Sequence, residues 1–171
     1  MLARALRLIL VVTVAVLVAN RATVAGEEGQ ATTGMDRATF LPLYQAATAV
    51  AAATEDSEMT RTRIATLVPT LGKEVSIAKP LAKTPVEVQM VAFYSEALEA
   101  YRDGLQFWEL RRFANRRGRS APLDALAEKY GIQPVTTNSY LSTWQRYPNA
   151  VSKIWAVGNA ATTKANVLYS K

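Results

Sequence analysis

The chain of 171 residues contains no cysteine and no histidine. The absence of cysteine excludes disulfide bonds, thiolate nucleophiles, covalently attached c-type haem and cysteine-ligated zinc or iron–sulfur sites. The absence of histidine excludes Ser-His-Asp and Cys-His catalytic sites, and it removes the commonest metal ligand and general base near pH 7. The sequence also carries no Walker loop, G-x-G-x-x-G or G-x-S-x-G motif. It therefore favours a non-enzymatic protein and indicates no catalytic residue, cofactor or metal site, with an enzyme of unfamiliar type as the remaining alternative.

The first 25 residues have the three parts of a secretory signal peptide. Arg4 and Arg7 precede an apolar run from Leu8 to Ala19, and Thr23 and Ala25 are small residues at the positions that a signal peptidase reads. A membrane-spanning helix needs about 20 apolar residues, and this run is shorter. We therefore expect a cleaved signal peptide over residues 1–25, with an uncleaved signal anchor in the inner membrane or a buried core helix as the alternatives.

Cleavage near Ala25 would leave 146 residues (171 − 25). Small proteins of eukaryotic secretory pathways often contain disulfide bonds, so a cysteine-free exported chain is more typical of a bacterial envelope. We expect a periplasmic or extracellular protein in which residues 26–38 form a flexible polar leader and residues 39–171 form one domain. The length of the chain is sufficient for a single small domain.

Apolar spacing and turn residues predict helices throughout that domain, and no segment alternates in the manner of a strand. Thr39 is the expected N-cap of the first helix, Thr84 and Glu87 form a capping box, and Gly118 is the expected terminator of the third helix. Pro69 is expected to kink the second helix or to divide it into two. The predicted helices cover residues of about 39–54, 58–77, 85–117, 121–130 and 137–169, the last kinked or split at Pro148.

These elements predict an all-α fold. Short connections between amphipathic helices favour antiparallel neighbours, so we expect an antiparallel helical bundle of four principal helices plus one short helix. The N-terminal signal helix would precede the bundle.

Five arginines lie within nine residues near the predicted end of the third helix. Guanidinium groups bind phosphate and carboxylate groups through paired hydrogen bonds, so this arginine cluster could dock to an anionic envelope surface or an acidic protein. The simpler interpretation is that cations at a helix C-terminus offset the helix dipole. Nucleic acid is not an expected partner, because the chain is predicted to be exported and has no recognised nucleic-acid module. The cluster consists of Arg111, Arg112, Arg116, Arg117 and Arg119.

Two other sets of side chains could carry function. Four acidic residues on the third helix could bind a hard cation, although helical spacing and interleaved polar residues favour a solvated face: Glu96, Glu99, Asp103 and Glu109. Nine aromatic residues could enclose an apolar ligand, although such rings are more often core: Tyr94, Tyr101, Phe107, Trp108, Tyr130, Tyr140, Trp144, Tyr147 and Trp155.

The charge of the chain is unevenly distributed. The formal net charge is +6, but residues 26–110 carry 7 basic and 12 acidic side chains, whereas residues 111–171 carry 10 basic and 2 acidic ones. The sequence therefore predicts an exported α-helical protein that docks through its arginine cluster. The alternative is a periplasmic protein that binds a small ligand in an aromatic-lined interior.

Overall fold

The computed structural model of the protein describes residues 35–56, 61–111, 120–135 and 141–171, without the side chain of Trp144. All regular secondary structure in these ranges is α-helical, and they contain no β-strand. The described residues belong to one compact unit. The predicted all-α class is therefore confirmed. The predicted signal peptide, its cleavage site at Ala25 and residues 26–34 of the predicted leader lie outside the described residues.

Four long helices and two short ones make up the described part of the chain. In order, they are α1 (Arg37–Glu55), α2 (Arg61–Ala78), α3 (Pro85–Leu110), α4 (Ala121–Lys129), α5 (Thr143–Arg146) and α6 (Ala150–Ser170). The sequence predicts only one short helix. The second short helix is α5. It and α6 lie where the sequence predicts one helix that is kinked or split at Pro148, and residues 147–149 separate them.

The first two helices differ from the sequence prediction in detail. The prediction of Thr39 as the N-cap is wrong, because α1 begins two residues earlier with Asp36 at the N-cap position. Thr39 instead donates a hydrogen bond to the Asp36 carboxylate at 2.6 Å. Helix α2 passes through Pro69 without interruption, so the alternative of two shorter helices is also wrong. The proline ring is exposed, while residues on the opposite face are buried in the core: Ile64, Val68, Leu71 and Val75.

Helix α3 begins where the sequence predicts and ends before the predicted position. The Thr84 Oγ1 accepts a hydrogen bond from the Glu87 backbone N–H at 3.2 Å, and the Glu87 carboxylate accepts from the Thr84 N–H at 2.9 Å. The capping box is confirmed. The helix ends at Leu110 with Arg111 as its C-cap, and the predicted terminator Gly118 lies outside the described residues. Residues 112–119 lie outside the described residues.

The Glu87 capping box makes stability depend on pH in a defined direction. The backbone N–H groups of Thr84 and Lys83 donate to the carboxylate and hold the pKa of Glu87 below its ordinary value of 4.5. A carboxyl group with a lowered pKa stabilises the fold above its unfolded-state pKa, and this stabilisation is lost as the pH falls through its folded-state pKa. We expect Glu87→Gln to cost about 1 kcal/mol at pH 7 and progressively less as the pH falls below about 4.5.

Urea unfolding at several pH values, followed by circular dichroism, measures this difference. Glu96→Gln is the control, because Glu96 is an exposed carboxylate on the same helix. A cost of Glu87→Gln that stayed constant between neutral and acidic pH would contradict the assignment.

Helix α4 begins at the residue that the sequence predicts and ends one residue before the predicted position. Ser120 caps α4 by accepting the Leu123 N–H at 3.3 Å, and Gly131 follows the helix with a φ of +63°. That backbone conformation favours glycine. Residues 141 and 142 are not helical, and a Ser142 capping box starts α5, so the prediction of one helix through these residues is wrong. The predicted start at Thr137 lies outside the described residues.

Hydrogen bonds between helices define how the long helices pair. Tyr94 and Tyr101 of α3 donate to Asn166 and Asn159 of α6, at 2.7 and 2.8 Å. Because the higher residue number on one helix meets the lower number on the other, α3 and α6 run in opposite directions. Thr54 near the end of α1 donates to the same Asn159 oxygen at 2.9 Å, so α1 is also a neighbour of α6.

Helices α3 and α6 are in close contact at two glycines. A Cβ atom on Gly104 of α3 would lie 2.2 Å from Nε1 of Trp155, and one on Gly158 of α6 would lie 2.7 Å from Cε1 of Tyr101. Each helix therefore places an aromatic ring over a glycine of the other. The Trp155 indole N–H also donates to the Tyr101 carbonyl oxygen at 3.3 Å. This interlocked contact forms the centre of the core.

Each long helix buries residues at steps of three and four. On α3 these include Met90, Tyr94, Ala97, Tyr101 and Gly104. Such spacing is typical of helices that pack side by side along their length. No helix within the described ranges combines the length and apolar character that a bilayer span requires.

Candidate functional site

The described end of the arginine cluster lies beside α5. The Arg111 guanidinium carbon lies 4.8 Å from the centroid of the Trp108 ring, a cation–π distance. The Arg111 carbonyl oxygen accepts a hydrogen bond from the Thr143 hydroxyl of α5 at 3.4 Å. The other four members of the cluster, Arg112, Arg116, Arg117 and Arg119, lie outside the described residues.

The position of the cluster relative to α3 bears on its interpretation. The last turn of α3 contains no basic residue, and the helix ends at Leu110, before the first arginine of the cluster. The interaction between a cation and a helix dipole is strongest within the last turn and falls off beyond it. Arg111 adjoins the end of α3, and about two or three cations are enough to offset a helix dipole, so five arginines exceed that role.

The acidic set on α3 holds neighbouring helices in place. Glu99 and Asp103 both pair with Lys129 of α4, with the Lys129 nitrogen 2.6 Å from the Asp103 carboxylate. The Tyr130 hydroxyl donates to Asp103 at 2.8 Å. Hydrogen bonding to Asp103, followed by that to Glu99, raises the pKa of Lys129, so this lysine stays charged.

The remaining acidic residues on α3 face solvent. Glu109 forms an ion pair with Arg61 of α2, and Glu96, Glu99 and Glu109 are exposed, as expected of a solvated face. Within the described ranges, no group of three acidic side chains is placed to hold a metal ion. The acidic set therefore joins α2 and α4 to α3.

The described aromatic rings form part of the core. Tyr94, Tyr101, Phe107, Tyr147 and Trp155 are buried, and Trp108 and Tyr130 are partly buried against the core. Tyr140 and the side chain of Trp144 lie outside the described residues. Burial raises the pKa of Tyr101 to about 12, and its hydroxyl is hydrogen-bonded to Asn159 and contacts Thr162 at 3.0 Å. The geometry of these rings favours packing over ligand binding.

A cleft of about 440 Å³ opens between α4 and α5, and we call it the α4–α5 cleft. Its lining combines charged, polar and apolar side chains: Asp124, Ala127, Glu128, Ile132, Gln133, Pro134, Arg146 and Tyr147. Both short helices are fixed at their ends by the Ser120 and Ser142 caps. The Val135 N–H donates to the Arg146 carbonyl at 2.8 Å and holds the intervening loop against α5.

Arg146 is the unusual side chain of this cleft. It is 8% exposed, and its Nε atom is buried without a hydrogen-bond partner. Its guanidinium carbon lies 5.7 Å from the centroid of the Tyr147 ring. The Tyr147 hydroxyl donates to Asp124. Burial, followed by this hydrogen bond, raises the pKa of Tyr147, while the nearby guanidinium acts in the opposite direction.

Sequence reasoning did not identify this cleft. In the sequence, Arg146 is one of ten basic residues in residues 111–171, and Asp124 and Glu128 are the two acidic residues of that part of the chain. The available signal was the position of Arg146 beside Tyr147 and Pro148, at the point where the last helix was expected to break. Nothing in that pattern indicates burial of the guanidinium, because burial depends on how α4 and the loop after it pack.

No protein-family model, curated protein or solved structure matches this chain.

Proposed function

We propose that the protein is an exported, non-enzymatic α-helical protein that docks through its arginine cluster to an anionic component of the bacterial envelope or to an acidic partner. Export would follow cleavage near Ala25, and the alternative is an inner-membrane anchor formed by an uncleaved signal. The observation that carries the proposal is the position of the cluster. Five arginines lie within nine residues just after the end of α3, and about two or three would be enough to offset the helix dipole.

We further propose that α1, α2, α3 and α6 form one antiparallel bundle that presents this cluster at one end. Packing of α1 with α2, α2 with α3, α3 with α6 and α6 with α1 supports a closed arrangement of the four. Arg61 near the start of α2 pairs with Glu109 near the end of α3, as antiparallel neighbours do. The contact between Arg111 and Thr143 places α5 beside that end of α3.

The distribution of charge also supports docking. Residues 141–171 contain four basic side chains and no acidic one. Ion pairs within the described ranges engage Glu99, Asp103 and Glu109 of the acidic first part with only two cations, Lys129 and Arg61. The four basic side chains of residues 141–171 take part in none of the ion pairs within the described ranges, so this part of the chain keeps its positive charge. A surface rich in phosphate or carboxylate groups would be attracted to it, and more weakly at high salt.

Binding to vesicles of phosphatidylglycerol and phosphatidylcholine tests the docking proposal. The test variant replaces Arg112, Arg116, Arg117 and Arg119 by Gln and keeps Arg111, which packs on Trp108. Each basic residue near an anionic surface contributes about 1 kcal/mol, so we expect this variant to bind at least about tenfold more weakly. Wild-type binding should fall as salt is added and be absent on pure phosphatidylcholine.

The control variant replaces four exposed lysines by Gln and removes the same charge: Lys73, Lys79, Lys83 and Lys153. It should bind much more tightly than the arginine variant. Equal loss in the two variants would show that net charge alone drives binding and would overturn the proposal. All proteins are purified from the envelope fraction, where intact mass shows whether residues 1–25 remain, and only identically processed forms are compared.

A further inference from the structure

We propose that the α4–α5 cleft binds a small zwitterion, a molecule that carries one carboxylate and one ammonium group, such as a free amino acid with an apolar side chain. This binding site is separate from the arginine cluster. The site centres on the buried guanidinium of Arg146. Arginine is almost never buried without a partner, because removing its charge from water is costly unless an anion or several acceptors replace the water.

The structure does not provide that anion from the protein itself. Within the described ranges, the ion pairs engage other cations, and the Arg146 Nε atom has no hydrogen-bond acceptor. Its neighbour Tyr147 offers a ring face at 5.7 Å and a hydroxyl that hydrogen-bonds to the guanidinium and donates to Asp124, but neither group is an anion. A ligand carboxylate is the group that would complete this site, because a guanidinium binds a carboxylate through two parallel hydrogen bonds.

The lining of the cleft opposes a ligand that is only an anion. Asp124 and Glu128 lie four residues apart on α4, and both line the same cleft as Arg146. The Tyr147 hydroxyl donates to Asp124, whereas Glu128 is exposed and available at the mouth of the cleft. A second positive group on the ligand would pair with these carboxylates. A cation without a carboxylate would instead meet the uncompensated guanidinium.

The rest of the lining indicates the character of the ligand between its two charges. Ala127, Ile132 and Pro134 are apolar, and Gln133 supplies one neutral hydrogen-bonding group. A volume of about 440 Å³ is within the range of small-molecule sites and accommodates an amino acid with an aliphatic side chain. One cation, two carboxylates and an apolar wall together match a molecule such as leucine.

Three probes that share the isobutyl side chain of leucine test the assignment. They are L-leucine, 4-methylpentanoate, which lacks the ammonium group, and isoamylamine, which lacks the carboxylate. With the full chain, we expect L-leucine to raise the thermal unfolding midpoint with increasing concentration up to about 10 mM, because a ligand that binds only the folded state stabilises it. Isothermal titration should show binding of L-leucine at least tenfold tighter than that of either other probe.

Two variants separate the roles of the charges. Glu128→Gln changes an exposed side chain, should fold normally and should weaken leucine binding at least tenfold, whereas Glu96→Gln on α3 should bind as wild type does. Arg146→Gln should abolish binding, provided that circular dichroism shows a folded protein. The variant lacking four residues of the arginine cluster should bind leucine normally, so failure of this proposal and failure of docking are distinguishable.

The proposal is overturned by any of three results. They are no leucine-dependent shift at about 10 mM, an equal shift with 4-methylpentanoate, or unchanged leucine affinity in Glu128→Gln. The second result would show that the cleft is a simple anion site. The third would show that Glu128 does not bind the ammonium group of the ligand.

Discussion

Gly104→Ala is expected to lower the free energy of unfolding by about 3 kcal/mol, although alanine is the better helix former. A Cβ atom at this position would lie 2.2 Å from Nε1 and 2.9 Å from Cε2 of the Trp155 ring. Both distances are far inside van der Waals contact, so the indole must move. Its movement would break the hydrogen bond to the Tyr101 carbonyl and disturb the adjacent Trp108 ring, whose centroid lies 5.7 Å away.

The indole has little room to move, because Trp155 is buried. Protein interiors are packed as densely as organic crystals, so a displaced ring forces its neighbours out of their preferred rotamers. The gain in helix propensity from glycine to alanine is about 1 kcal/mol and offsets only part of this cost. Urea unfolding monitored by circular dichroism should show a lower midpoint with an unchanged slope.

Gly72→Ala on α2 is the matched control. A Cβ atom there would approach Nη2 of Arg102 at 2.7 Å, but that atom is the far end of a flexible, exposed side chain. We expect this substitution to leave stability unchanged or to raise it by up to about 1 kcal/mol. If Gly104→Ala lowered the free energy of unfolding no more than Gly72→Ala, the Trp155 ring would not lie as close to Gly104 as the structure places it.

Local signals account for the parts of the fold that the sequence predicts well. The capping box of Thr84 and Glu87 and the stop at Gly131 each depend on a few adjacent residues, and the structure confirms both. Pro69 shows the limit of such reasoning. A proline disfavours a helix interior by about 3 kcal/mol, but one buried face along α2 outweighs it.

Contacts between distant segments account for what the sequence does not predict. From the sequence, Gly104 and Gly158 are only small residues on apolar helix faces. Their role depends on which aromatic ring of the partner helix lies over each, and the sequence does not show this. Arg146 reads as one cation among ten in the last part of the chain. Its burial arises where residues of α4 and residues 132–134 line one cleft with it, an arrangement that no local pattern encodes.

Replacing Trp155 should reverse the sign of the Gly104 substitution. Trp155→Leu alone is expected to cost about 3 kcal/mol, since it removes a buried ring and its hydrogen bond to Tyr101. In this background a Cβ atom on Gly104 no longer meets an indole. Gly104→Ala should then stabilise the protein by up to about 1 kcal/mol through helix propensity. The double-mutant cycle should therefore give a coupling of about 3 kcal/mol or more.

Gly158 supplies the control for this reversal, because Tyr101 rather than Trp155 lies over it, with Cε1 2.7 Å from a Cβ atom placed there. Gly158→Ala should remain destabilising in both the wild-type and the Trp155→Leu backgrounds. If both glycine substitutions became favourable once Trp155 was replaced, the tryptophan would act by general loosening of the core. If only Gly104→Ala changes sign, the two glycines are separate contacts, each matched to one ring of the opposing helix.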